Sequence, residues 1–243
     1  MDIVAQLKST ELAGGVFTSM LVMLIMIILA IYIGIRAHFH NPLKKPKGML
    51  LVAEIGVTFF ENFAEGLLGK RFRMLGGYLM AIGVYLFLAF IFGLTGLPSP
   101  MTTLSVPLSL GLSTFILIHA TAIKYNKIRY FKRYVEPLPL FLPINLISMW
   151  APLLSLTLRL FGNALSGFVI MNIVYFGLQN LSAAVFASLE ASMGSWNEVF
   201  FAPFIAWILH LYFDLFSGFI QTTVFLSLTT IYVGQETPEE YLD

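Results

Sequence analysis

An all-α integral membrane protein is what this sequence predicts, and three observations carry the prediction. Of the 243 residues 58% are hydrophobic and only 11% charged, with a mean hydropathy of +0.85; soluble domains carry about 25% charged residues. The apolar residues come in long runs of about twenty or more, enough to cross a hydrocarbon core of about 30 Å at 1.5 Å per residue. The runs alternate with short basic and uncharged loops, the punctuation of a polytopic chain. About five membrane-spanning helices and one interfacial amphipathic helix follow, in a single integral domain covering 1–243. There is no cysteine, so disulfides and thiolate chemistry are excluded, and four scattered histidines offer little for a metal. A net charge of +1 with no basic tract gives no sign of nucleic-acid binding.

The first span is 16–35, followed by Arg36, Lys44, Lys45 and Lys47 with Pro42 and Pro46. The residues before it lack a basic lead-in and no small-residue cleavage pattern follows it, so it reads as a retained span. In 49–69, Glu54, Glu61 and Glu65 lie opposite Leu51, Ile55, Phe59, Phe63 and Leu67. That pattern is a surface-lying helix with a solvated acidic face, closed by Lys70, Arg71 and Arg73. Spans at 75–97 and 104–123 are joined by an uncharged Pro-Ser-Pro turn; Pro107 sits near the start of the second, where proline is tolerated. His119, near its basic end, reads as a packed or interfacial histidine rather than a proton carrier. The last two apolar stretches, 138–179 and 200–232, are too long for upright spans and predict a strongly tilted hairpin.

Loops 36–47, 70–73 and 124–133 hold four, three and five basic residues, whereas 97–103 and 180–198 hold none. The positive-inside rule then places the N-terminus outside and the C-terminus in the cytoplasm.

The most informative residue is Arg159, the last basic residue of the chain, inside an apolar stretch of about forty residues. A charge at bilayer depth costs about 2.5–3.5 kcal/mol on insertion scales, so it is kept for a task or a partner. Ser155, Asn163 and Ser166 share its helix face, and Gly162 and Gly167 thin the helix beside it. In an antiparallel hairpin turning near residue 190, positions whose numbers add to about 380 face each other. Gln221 then opposes Arg159 and can offer its amide oxygen. Asp214, His210 and Glu198 continue a polar track toward the outer surface. An Arg159–Asp214 structural ion pair is the plain alternative, and the two donors of His210-x-x-x-Asp214 do not make a metal site.

Leu158-Arg159-Leu160-Phe161-Gly162-Asn163, with Gly167, resembles the signature of the subunit a family of F-type ATP synthases, and the likeness runs from about Lys45 to Gly234. The resemblance implies a non-catalytic stator subunit in the bacterial cell membrane, with two offset half-channels that carry protons to and from a rotating c-ring. Its implied partners are that ring, b-type peripheral-stalk subunits, indirectly the soluble catalytic head, and the lipid bilayer; no cofactor is implied. Arg159 would correspond to the essential arginine that drives carboxyl deprotonation and blocks leak. Asn163 and Gln221 match family positions, and Asp214 falls where relatives have His or Glu. The chain departs from the pattern at Phe168, where relatives have Glu or His, at Thr103 and Ser105, and at Met149, where an acid is common. Ser155, Ser166, Thr103, Ser105 and Glu198 are candidate channel linings. A secondary transporter that binds an anionic substrate through Arg159 is the alternative; it would favour duplicated halves or broken helices, and neither is visible. An intramembrane enzyme using His210 and Asp214 would need a nucleophile or metal that the sequence does not offer.

Overall fold

A computed structural model describes residues 3–41, 44–127, 130, 132, 140, 142–186 and 202–238. These form α1 (Ile3–His38), α2 (Met49–Leu68), α3 (Leu75–Ile91), α4 (Ser105–Asn126), α5 (Leu142–Phe186), α6 (Ala202–His210) and α7 (Ser217–Gln235). A π-helical turn, Leu211–Phe216, joins α6 to α7 without a break. The protein is an all-α integral membrane protein: among the described residues five helices, taking the 205–235 rod as one, are long and apolar enough to span.

α3 occupies the centre, because its sequence is apolar on every side. Leu79, Ile82, Tyr85, Leu86, Ala89 and Phe90 are buried in one cluster with Leu156 and Leu160 of α5 and Phe225 and Leu226 of α7. Glycines set the tightest approaches. A Cβ at Gly218 would sit 2.5 Å from Cβ of Phe90, so α7 crosses α3 at a distance that only glycine permits. Outside this core the surface is apolar too: Phe17, Ile28, Ile147, Ile173 and Trp207 are each more than half exposed. A lipid environment accounts for such a surface, and water does not.

α2 packs on the first half of α3, Gly56 against Met80 and Phe60 against Gly83. Gly76 lets the α3 backbone abut Glu61, and Arg73 Nε donates to Glu61 Oε2 at 2.7 Å. Of the three glutamates expected on a solvated face, Glu54 is exposed while Glu61 and Glu65 are half-buried. The hinge into α3 is Gly69, at φ 84°, whose N–H closes α2 on the Glu65 carbonyl at 2.8 Å.

α5 has 45 residues and so is about 68 Å long, over twice the hydrocarbon thickness. It continues to Phe186, beyond the boundary expected near 179, because Leu181-Ser182-Ala183-Ala184-Val185-Phe186 holds no helix breaker. The expected turn near residue 190 lies outside the described residues, as does Glu198.

Candidate functional site

The antiparallel register of the last two helices is fixed by two contacts. Ser217 Oγ donates to Asn163 Oδ1 at 3.0 Å, and Gly167 packs on the Phe213 ring, 3.5 Å from where its Cβ would be. Both pairs have numbers adding to 380, the value expected from a hairpin turning near residue 190. Ser217, unlike Asn163, was not among the expected site residues; it sits one turn inward of Phe213 and satisfies the asparagine oxygen.

Arg159 is half-buried on α5. Its Nη2 donates to Ser155 Oγ at 3.4 Å, one turn back on its own helix. Among the described residues no carboxylate comes within ion-pair distance of it. Gln221, the expected partner, does not receive it: Gln221 Oε1 is buried without a hydrogen-bond partner. The guanidinium lies back along α5, and the facing amide keeps an unused acceptor. The helix face beside Arg159 is open. Leu154 and Leu158 are 53% and 56% exposed, and a Cβ at Gly162 would meet nothing within 4 Å. Of the two glycines expected to thin the helix, Gly167 admits the chain's own Phe213, and Gly162 admits nothing from the described residues.

Asp214 is turned elsewhere. Its Oδ2 accepts from His210 Nδ1 at 2.7 Å, and His210 Nε2 lies 2.9 Å from the Tyr175 hydroxyl. The Arg159–Asp214 ion pair is therefore not made. Gly93, just past α3, has its Cα face against the Asp214 carboxylate; a Cβ there would stand 2.9 Å from Oδ1. Asp214 lies in the π turn, a wider winding than the α-helix and one that often marks functional positions. With Nδ1–H directed at the carboxylate, a neutral imidazole leaves Nε2 as acceptor for the phenol proton. Tyr175–His210–Asp214 is thus a continuous hydrogen-bonded line across two helices. Tyr175 was missing from the expected set because the numbers of its pair with His210 add to 385, beyond the value that defined facing positions; a long phenol spans the difference.

The remaining expected residues are dispersed. Ser166 Oγ donates to the Asn163 carbonyl at 2.9 Å and is exposed. Thr103 is buried against Gly15 of α1, and Ser105 is exposed at the start of α4. Phe168 is 47% exposed, whereas the Asp214 carboxylate is turned to Gly93. Among the described residues, no three His, Asp or Glu side chains gather into a metal-binding group.

Comparison with known proteins gives a consistent answer. The family described as ATP synthase A chain matches residues 16–234. ATP synthase subunit a of Mycoplasmoides gallisepticum is 30% identical over 204 residues, covering 80% of this chain and 68% of that one. The subunit a of Mycoplasma genitalium is 30% identical over 238 residues, 92% of this chain and 78% of that one. A sodium-ion-specific subunit a from Propionigenium modestum is 34% identical over 149 residues, 60% of this chain and 44% of that one.

Proposed function

The chain belongs to the ATP synthase A chain family, and from that membership we propose that it is the stationary half of a proton path whose moving half is a ring of c subunits. The observation that carries the reading is Arg159: a guanidinium within the membrane span, held among the described residues by one neutral hydroxyl, beside an open apolar helix face. A cation within the membrane span that meets no anion among the described residues of its own chain is costly unless an anion arrives from elsewhere. The open face at Leu154, Leu158 and Gly162 is where a partner helix fits, and a carboxyl on that helix is the anion.

As each protonated carboxyl reaches Arg159, the cation favours the ionised form and the proton leaves. The carboxylate cannot pass unprotonated into lipid, so the ring turns one way only when a proton is returned from the other side. Arg159 also repels a proton moving straight between the two access routes, which limits leak. Gln221 Oε1 is the acceptor that holds the guanidinium when it swings off Ser155, or that receives a protonated carboxyl. Asn163, pinned by Ser217, keeps the face polar one turn on. The outer access route runs through Tyr175, His210 and Asp214, each able to accept and release a proton. The basic loops then face the cytoplasm, with the N-terminus outside. The subunit performs no chemistry on ATP; b-type stalk subunits hold it still against the ring, and the soluble head makes the ATP.

In vesicles carrying the whole complex, Arg159→Ala abolishes ATP-driven pumping and leaves the membrane passively leaky, while the detached head still hydrolyses ATP. Arg159→Lys fails too, because a point charge on a flexible stem lacks the planar fork. Normal synthesis in the alanine variant overturns the reading. The imidazole in the outer route favours H⁺ over Na⁺, so pumping should persist undiminished without Na⁺; a strict Na⁺ requirement would assign the other ion.

A further inference from the structure

Between the loop that follows α1 and the exposed face of α2 lies a groove of about 680 Å³. Lys45 and Pro46 of the loop line it, with Glu54, Thr58, Phe59 and Asn62 of α2. A second groove, of about 310 Å³, begins at the same Phe59 and runs between α2, α3 and α7. Phe60, Phe63, Phe87 and Phe219 wall it, and its lining is almost wholly apolar. Both volumes fall within the range of about 300–1,000 Å³ that ligand sites occupy. The two are compartments of one site, polar and cationic at the loop, aromatic further in.

The sequence of α2 builds both. Glu54, Thr58 and Asn62 recur every four residues and form one polar stripe along the helix. Phe59, Phe60 and Phe63 lie beside it, the first two rings meeting edge to face at 5.3 Å. Val84 and Phe87 in the inner compartment lie about 14 and 18 Å along α3 from Leu75. That is about the depth of one leaflet of a 30 Å hydrocarbon core. On α7, Phe219 and Thr223 stand two residues either side of Gln221 and so point about 200° away from it. The groove is therefore on the side of α7 turned from the Gln221 side chain.

The loop supplies the charge. Arg36, Lys44, Lys45 and Lys47 follow the first span, and such a cluster beside a span attracts anionic headgroups. His40 Nε2 donates to the Lys44 carbonyl at 2.9 Å, which holds the loop beside Lys45. Lys45, Thr58 and Asn62 are exposed and make no side-chain hydrogen bond or ion pair among the described residues. Glu54 repels a bare phosphate but accepts from a hydroxyl. A headgroup that presents a phosphate and hydroxyl donors together satisfies both Lys45 and Glu54.

We propose that this groove is the seat of one anionic phospholipid with a polyol headgroup. The phosphate rests on the Lys45 ammonium, with Thr58 and Asn62 as further donors, and the headgroup hydroxyls donate to Glu54. One acyl chain passes Phe59 and lies along the aromatic compartment. A helix of another subunit would fill the aromatic compartment and leave the Lys45 compartment unused, so the pairing of the two favours the lipid. The site goes beyond the function given above and does not depend on which ion the subunit carries.

The test uses the whole complex in phosphatidylcholine vesicles that hold a trace of phosphatidylglycerol with a photoactivatable group in its acyl chain. After illumination, peptide mass spectrometry should find the label at Phe63, Phe87 or Phe219. Unlabelled phosphatidylglycerol should compete it away and extra phosphatidylcholine should not. Lys45→Gln should lower capture about fivefold, the effect of one cation near an anionic headgroup. Lys45→Arg should retain it, and Lys124→Gln, in another basic segment, should leave it unchanged. Glu54→Leu should lower it as well, through loss of the hydroxyl acceptor. Equal capture of a phosphatidylcholine probe at these residues, or label spread evenly to Ile147, Ile173 and Trp207, overturns the site. So does capture that Lys45→Gln leaves unchanged, or a groove that crosslinks to another subunit in place of lipid. Capture unchanged or raised by Glu54→Leu overturns the polyol headgroup.

Discussion

At the scale of single residues, the proposed outer access route rests on atoms that can be changed one at a time. Asp214→Asn preserves an oxygen for His210 Nδ1 at the present 2.7 Å, so the geometry survives while the exchangeable proton is lost. ATP synthesis should fall at least about tenfold, with passive proton permeability unchanged because Arg159 is intact; a dye assay of vesicle acidification separates the two. Tyr175→Phe removes only the outer hydroxyl of the line. A single hydrogen bond is worth about 0.5–1.5 kcal/mol, so the rate should fall about 2- to 10-fold. Equal rates in wild type and Tyr175→Phe would place proton entry elsewhere. Tyr175 was not foreseeable from composition, since an aromatic residue in an apolar helix ordinarily signals packing. Only its hydroxyl, set against a histidine from another helix, gives it a place in the proposed route.

At the scale of elements, helix contacts are set where side chains are missing. Gly218→Ala pushes a methyl into Phe90 and should destabilise the chain by about 1–3 kcal/mol, the range for overpacking. Gly76→Ala meets the Glu61 backbone at 2.7 Å and should separate α2 from α3 at a similar cost. Gly162→Ala is the contrast. It meets nothing among the described residues, so the stability of the purified subunit should stay within about 0.5 kcal/mol, while assembly with the proposed ring should be impaired. Thermal unfolding in detergent, run beside a co-purification assay, distinguishes these outcomes. Equal loss of stability in all three would mean that the open face at Gly162 is covered by this chain itself. The π turn belongs to this scale too, because it sets the direction of Asp214 relative to both His210 and Gly93.

At the scale of the whole molecule, the hairpin register is the quantity on which the site depends. Asn163→Cys with Ser217→Cys should crosslink efficiently in membranes, because those side chains touch. Arg159→Cys with Gln221→Cys should crosslink as well, by the same register, and Arg159→Cys with Asp214→Cys should not. The reverse pattern would shift the hairpin by two turns and separate the outer relay from Arg159.

The sequence by itself determined the membrane class, the helix count and the singular position of Arg159. Each follows from local properties: run length, hydropathy and the cost of a charge in lipid. It also determined the register of the last two helices, since an antiparallel pair has one free parameter and the turn position sets it. Whom Arg159 bonds was decided only by the tertiary structure. Ser155 on its own helix and Gln221 at the opposing register position are both candidate partners, and the folded chain seats it on the serine. The pairing of Asp214 with His210 and the entry of Tyr175 were decided the same way. A polar side chain in an apolar helix has several possible partners along its length, and packing against the other helices selects among them.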